Sequence, residues 1–96
     1  MEILVAYDVS TETAEGERRL RRVAKVCEAY GQRVQKSVFE CVLSAADLER
    51  LKHRLTGVID PKEDSLRIYR LLEPRERYVQ VMGRRPTYDL HDPLVL

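Results

Sequence analysis

The hydrophobic pattern opens with an unbroken apolar run, Ile3-Leu4-Val5-Ala6-Tyr7, closed by Asp8. A short run without polar alternation predicts a strand buried on both faces. Asp8 to Thr13 is polar and reads as a turn. From about Ala14 to Tyr30 the period becomes helical. Leu20, Val23, Ala24, Cys27 and Tyr30 fall on one face, with Arg18, Arg21, Arg22 and Lys25 opposite them. Gly31 is the expected helix stop. Arg33 to Leu43 is strand-rich and predicts two strands with a reversal or kink near Ser37, although no Gly or Pro marks it. Ser44 is placed as the N-cap of a second helix, with Asp47 three residues on as a weak capping box. Leu48, Leu51, Leu55 and Val58 form that helix's apolar stripe. Ile59 to Asp64 is a turn and Leu66 to Leu72 a further strand. After the polar link Glu73 to Arg77, Tyr78 to Met82 predicts a fifth strand. Gly83 to Leu96 carries two prolines and no clear period, so the division is a folded unit over 1–82 and an irregular tail over 83–96.

The order βαββαβ is the ferredoxin-like arrangement of an α+β domain, two helices packed on one face of an antiparallel sheet. Two helices cover only one face, yet the first strand is apolar on both. A second copy is the economical cover, so a sheet-to-sheet homodimer is expected, with the fifth strand free to add to the partner's edge. Size points the same way. A chain of 96 residues buries only ~60–65% of its unfolded surface and folds alone with a modest margin.

Charge narrows the function. Seventeen basic residues against sixteen acidic ones leave a formal net charge of +1, which excludes a wholesale basic coat. Any nucleic-acid surface must come from local segregation of charge. Such a segregation occurs on the first helix, where Arg18, Arg19, Arg21, Arg22 and Lys25 outnumber the nearby Glu17 and Glu28. These cations, Arg18, Arg19, Arg22 and Lys25 above all, suit the backbone of a nucleic acid, read by shape and phosphate contacts. Cys27 and Cys41 form no C-x-x-C pair, which fits core packing in a reducing cytoplasm. Neither a signal peptide nor a membrane-length apolar run is present, so a soluble cytoplasmic protein is expected, with no membrane partner.

Candidate chemistry centres on Asp8, a carboxylate at the tip of a buried strand. A strand-end aspartate before Ser10 and Thr11 also serves as a turn or capping residue. Its other use is metal binding, since a hard cation such as magnesium or manganese takes oxygen ligands. Arg33 lies six residues before Phe39, the sole phenylalanine, on one stretch of predicted sheet. Ser10 and Ser37 have no histidine partner in reach by sequence, and neither His53 nor His91 is placed like a general base. No aromatic RNP signature of an RRM occurs.

The segments Leu4-Val5-Ala6-Tyr7-Asp8, Arg33-Val34-Gln35-Lys36-Ser37-Val38-Phe39-Glu40, Ile59-Asp60-Pro61 and Asp64-Ser65-Leu66-Arg67-Ile68-Tyr69 resemble the small CRISPR-associated ferredoxin-like proteins that partner the CRISPR integrase in spacer acquisition. The resemblance covers roughly Met1 to Leu72. It implies a homodimer with Asp8 of each copy facing its mate across one shared Mg2+ or Mn2+. It also implies metal-dependent endonuclease cleavage of RNA or duplex DNA, with Asp8, Arg33 and Phe39 as site residues and Arg33 on phosphate. In other members the dimer is a non-catalytic DNA-binding bridge between integrase subunits. Both readings stand at this point.

Overall fold

The computed structural model describes residues 1–83. Strand β1 (Glu2–Asp8) leads into helix α1 (Ala14–Glu28), then the hairpin β2 (Gly31–Gln35) and β3 (Val38–Val42), helix α2 (Ala45–Thr56), strand β4 (Ser65–Leu71) and a short helix α3 (Arg75–Tyr78). The sheet runs β2-β3-β1-β4 with every neighbour antiparallel. This is the expected ferredoxin-like order.

Side chains alternate along β1. Ile3, Val5 and Tyr7 point into the core, where α1 supplies Val23, Val26 and Cys27, α2 supplies Leu51 and Leu55, and β3 supplies Phe39 and Cys41. Leu20, Tyr30, Leu48 and Val58 pack around that core half-buried. Burial raises the Cys27 thiol to about 12 and the Cys41 thiol to about 11. Both thiols stay protonated at neutral pH, as suits buried packing residues.

The helix starts follow local chemistry. Thr13 Oγ1 accepts from the Gly16 amide at 3.0 Å, and Ser44 Oγ accepts from the Asp47 amide at 3.1 Å. Asp47 does not close a capping box, because its carboxylate accepts from Arg50 at 2.7 Å. Helix α1 ends at Glu28, two residues before the expected Tyr30, and Gly31 opens β2 rather than capping the helix. A Cβ at Gly31 would strike Cys41 Sγ and the Glu40 carbonyl, so the glycine serves close strand packing. The reversal between β2 and β3 falls at Lys36 and Ser37, with a register shift between Arg33 and Gln35. Among the described residues only Gly83 has positive φ, so this turn needs no glycine and leaves no glycine signal in the sequence.

One expected element is absent from the single chain. Tyr78 closes α3, whose last turn takes the Val79 amide onto the Arg75 carbonyl at 3.0 Å, and Val79 to Met82 have no strand neighbour. A strand exists only where another backbone accepts its hydrogen bonds, and the turn through α3 carries this segment off the sheet. Val81 and Met82 are left 76% and 90% exposed. The expected tail lies, beyond Gly83, outside the described residues.

One ion pair ties the loops together. The Asp64 side chain has no exposed surface and accepts from Arg19 Nε at 2.9 Å, the Ser10 amide at 3.1 Å and the Asp60 amide at 2.8 Å. It thereby joins the loop after β1, the middle of α1 and the turn before β4. The Arg19 guanidinium, then the two backbone donors, hold this carboxyl below the usual range against the opposing effect of burial. Asp64→Ala is therefore expected to lower stability by about 2–3 kcal/mol, measured by urea unfolding. Because the folded pKa is depressed, the contribution is complete above the ordinary aspartate pKa and is lost as pH falls through the folded value. The stability gap between the natural chain and Asp64→Asn should hold constant from about pH 5 to 7 and shrink below about pH 4.

Candidate functional site

The strand register sorts the candidate residues by face. Val5 pairs with Phe39, and Phe39 pairs with Arg33, so all three side chains lie on the helix-covered side. Asp8 is one residue out of phase with Tyr7. It ends β1 opposite Ser65 and points to the side away from α1 and α2. The sheet therefore separates Asp8 from Arg33 and Phe39, which the sequence places together.

On the covered side a small stack forms. Phe39 is fully buried at 0% exposure, the Arg33 guanidinium sits 5.1 Å from its ring centroid, and Tyr7 stacks on it at 6.2 Å and 22°. Arg33 Nη2 also reaches Glu28 at 3.9 Å. Burial raises the Tyr7 hydroxyl pKa, with nearby Cys27 adding to it and Arg33 opposing it. Phe39 has no surface with which to touch a substrate. Its contribution is to seat Arg33, which joins α1 to the β2–β3 hairpin.

On the uncovered side Asp8 is exposed and forms no ion pair among the described residues. Its loop is held by the Ser10–Asp64 hydrogen bond and by Val9, buried in the core. Arg67 shares this face: it pairs with Ala6, two residues along β4 from the Asp8–Ser65 pair. A diagonal neighbour at roughly 7–8 Å is within reach of a long side chain. Arg67 Nη1 donates to the Tyr69 hydroxyl at 3.1 Å, which steers the guanidinium along the strand and raises its pKa. Arg67 lies within the family-like segment Asp64 to Tyr69, but the sequence pattern assigns it no role. The period-2 count from Ser65 is the signal that reaches it.

The rest of this face is mixed. Leu4, Ala6, Val38 and Leu71 are half-buried, while Val42 and Tyr69 are 69% and 43% exposed. At the far end from Asp8, Arg75 of α3 bridges Glu2 at 3.2 Å and Glu40 at 3.4 Å. That bridge ties both acids at that end to one cation, while Asp8 forms no ion pair among the described residues. Among the described residues no three metal-ligating side chains converge. Asp8 is the one exposed carboxylate at this end of the face among the described residues, and a second Asp8 would come from a second chain.

The basic residues of α1 divide as well. Arg18, Arg21, Arg22 and Lys25 are exposed, whereas Arg19 turns inward to Asp64. Arg19, expected among the nucleic-acid contacts, is committed to the fold. Its partner lies 45 residues away in sequence, which is why helical periodicity could not exclude it. No helix among the described residues is long and apolar enough to cross a membrane.

Comparison with known proteins agrees with this architecture. Residues 1–78 match the family model described as CRISPR associated protein Cas2. The CRISPR-associated endoribonuclease Cas2 1 of Moorella thermoacetica is 60% identical over 96 residues, all of both chains. The CRISPR-associated endonuclease Cas2 of Halalkalibacterium halodurans is 50% identical over 95 residues, 99% of each. The crystal structure of Streptococcus pyogenes Cas2 matches with a TM-score of 0.79 at 54% identity, over 86% of this chain and 100% of that one. With the sheet order, the helix layer and the end-to-end relatives in agreement, this chain belongs to the Cas2 family of CRISPR-associated proteins.

Proposed function

We propose that this protein is a metal-dependent endonuclease of CRISPR adaptation that works as a homodimer on RNA or duplex DNA. The observation that carries the reading is Asp8, an exposed carboxylate without an ion-pair partner among the described residues, on the uncovered face of the sheet. Names of close relatives support the nuclease class. A second copy laid on that face would cover Leu4, Ala6, Val42 and Tyr69 and bring a second Asp8 to the first. Val79 to Met82, extended and apolar at its end, is the segment available to add to the partner's sheet edge.

Magnesium keeps several of its waters and takes one or two carboxylates together with substrate phosphate. A single Asp8 meets the lower end of that donor set, and two facing Asp8 side chains meet it in full. Bound there, Mg2+ or Mn2+ supplies Lewis-acid polarisation of the scissile phosphate. The chain's own residues do the remaining work. Asp64 fixes the loop that follows Asp8, and so limits the positions its carboxylate can take. Arg67, on the same face, donates to a phosphate oxygen as negative charge grows there. Arg33 on the covered side does not serve this step.

A second reading follows from the absence of any three-ligand cluster among the described residues. The dimer would then be a non-catalytic DNA-binding adaptor that bridges integrase subunits. The two readings part at cleavage. For the nuclease, Asp8→Asn should reduce magnesium- or manganese-dependent cleavage by roughly two orders of magnitude or more, with circular dichroism and dimer mass unchanged. Cleavage by the purified protein that persists in Asp8→Asn would assign it to another site or a contaminant. Absence of cleavage with any metal would favour the adaptor. Assembly is tested separately by sedimentation: the natural chain should run at twice the chain mass at micromolar concentration, and Leu4→Glu, which puts a charge on the uncovered face, should run as a folded monomer.

A further inference from the structure

Helices α1 and α2 enclose an open cleft of ≈ 440 Å³ on the outward side of the helix layer. Arg22 and Lys25 of α1 and His53 and Arg54 of α2 line it above a floor of Val26 and Val58, with no acid in the lining. The acids that could have neutralised it are taken up elsewhere. Asp47 pairs with Arg50 at 2.7 Å, Glu49 with Lys52 at 3.2 Å, Glu28 with Arg33 at 3.9 Å, and Asp64 with Arg19 at 2.9 Å. Arg22, Lys25 and Arg54 form no ion pair among the described residues. A chain of net charge +1 thus gathers three permanent cations and a histidine in one cleft.

We propose that this cleft grips the sugar–phosphate backbone of a nucleic acid, with α2 contributing Arg54 and His53 beside Arg22 and Lys25 of α1. The inference rests on the nucleic-acid reading above and gives it a place and a second helix. Like charges brought together repel, and a polyanion offsets that cost. Arg54 is partly preorganised: its guanidinium lies over the Tyr30 ring, 5.6 Å from the centroid, which leaves the N–H edge for a phosphate. The same contact takes the half-buried Tyr30 face away from any base, so the cleft recognises backbone and not sequence.

Favourable alignment with the helix dipoles accounts for some of these cations, since Lys25 lies in the last turn of α1 and His53 and Arg54 in that of α2. It does not account for Arg22, which lies earlier in α1, nor for two helices presenting cations to one cleft without an intervening acid. The cleft opens on the helix layer and Asp8 on the opposite side of the sheet. Backbone held here is remote from the carboxylate, and binding is separable from cleavage.

The test is fluorescence anisotropy of a labelled random-sequence duplex DNA, and of a single-stranded RNA, across a salt series. Arg22→Gln with Arg54→Gln should weaken binding by about 10-fold or more and reduce the slope of log K against log salt by nearly two, about 0.9 for each duplex phosphate no longer neutralised. Lys52→Gln, whose lysine is paired to Glu49, should change neither. Unchanged affinity and slope in the double variant would overturn the cleft and leave the nucleic-acid reading standing. A natural chain that binds neither probe overturns both. Weaker binding with an unchanged slope also counts against the cleft, because it reflects altered shape with the same number of phosphates neutralised. With labelled poly-glutamate as a third probe, weaker poly-glutamate binding by the double variant with nucleic-acid binding intact would assign the cleft to an acidic protein partner and overturn the proposal.

Discussion

Strand β1 is hydrogen-bonded on both sides, to β3 and to β4, inside a sheet that has α1 and α2 on one face and only the short α3 at one end of the other. The alternation of its side chains therefore divides the molecule. Ile3, Val5 and Tyr7 hold the hydrophobic core against α1 and α2. Leu4, Ala6 and Asp8 define the uncovered face. A slip of one residue in this register would bury Asp8 and expose Val5, so the core energetics and the position of the carboxylate are fixed by the same pairing.

Charge is distributed with comparable economy. The uncovered face engages Glu2 and Glu40 at its far end with Arg75 and leaves Asp8 without an ion-pair partner among the described residues. On the helix layer the acids pair locally, and the cations of the α1–α2 cleft remain. Such exposed i, i+3 pairs contribute little to stability, about 0.3–0.5 kcal/mol each. Their larger effect here is to set which cations a polyanion can reach. Asp64 is the exception, a shielded carboxylate whose three donors come from three different parts of the chain.

The two proposed sites lie on opposite sides of the sheet. The carboxylate, with Arg67 on the same face, suits metal-assisted work on a phosphodiester once a second copy is present. The cleft suits retention of backbone. This separation accommodates both the nuclease and the adaptor readings, since an adaptor needs the second without the first. It also explains why Arg33 and Phe39, prominent in the sequence, contribute to architecture: their stack with Tyr7 ties the β2–β3 hairpin to α1 from within.

Much of this fold is local and was therefore legible in the chain. The apolar run at Ile3, the helical spacing of Leu20, Val23 and Cys27, and the Ser44 cap each act through neighbours a few residues away, where periodicity and side-chain chemistry suffice. From them follow the order of the first six elements, from β1 to β4, and the helix-covered core, but not α3, which stands before the expected fifth strand. The tertiary structure decided what depends on distant partners. Asp8 and Phe39 fall on opposite faces because the register between β1, β3 and β2 sets their phase. Arg19 turns inward because Asp64, 45 residues away in sequence, is brought beside it by the turn before β4. Val79 to Met82 is no strand by itself, because a strand requires a neighbour that its own chain does not supply. Arg54 meets Arg22 and Lys25 only once α2 packs beside α1. No local pattern encodes these encounters, since each is fixed by how the helices and strands come together around one core.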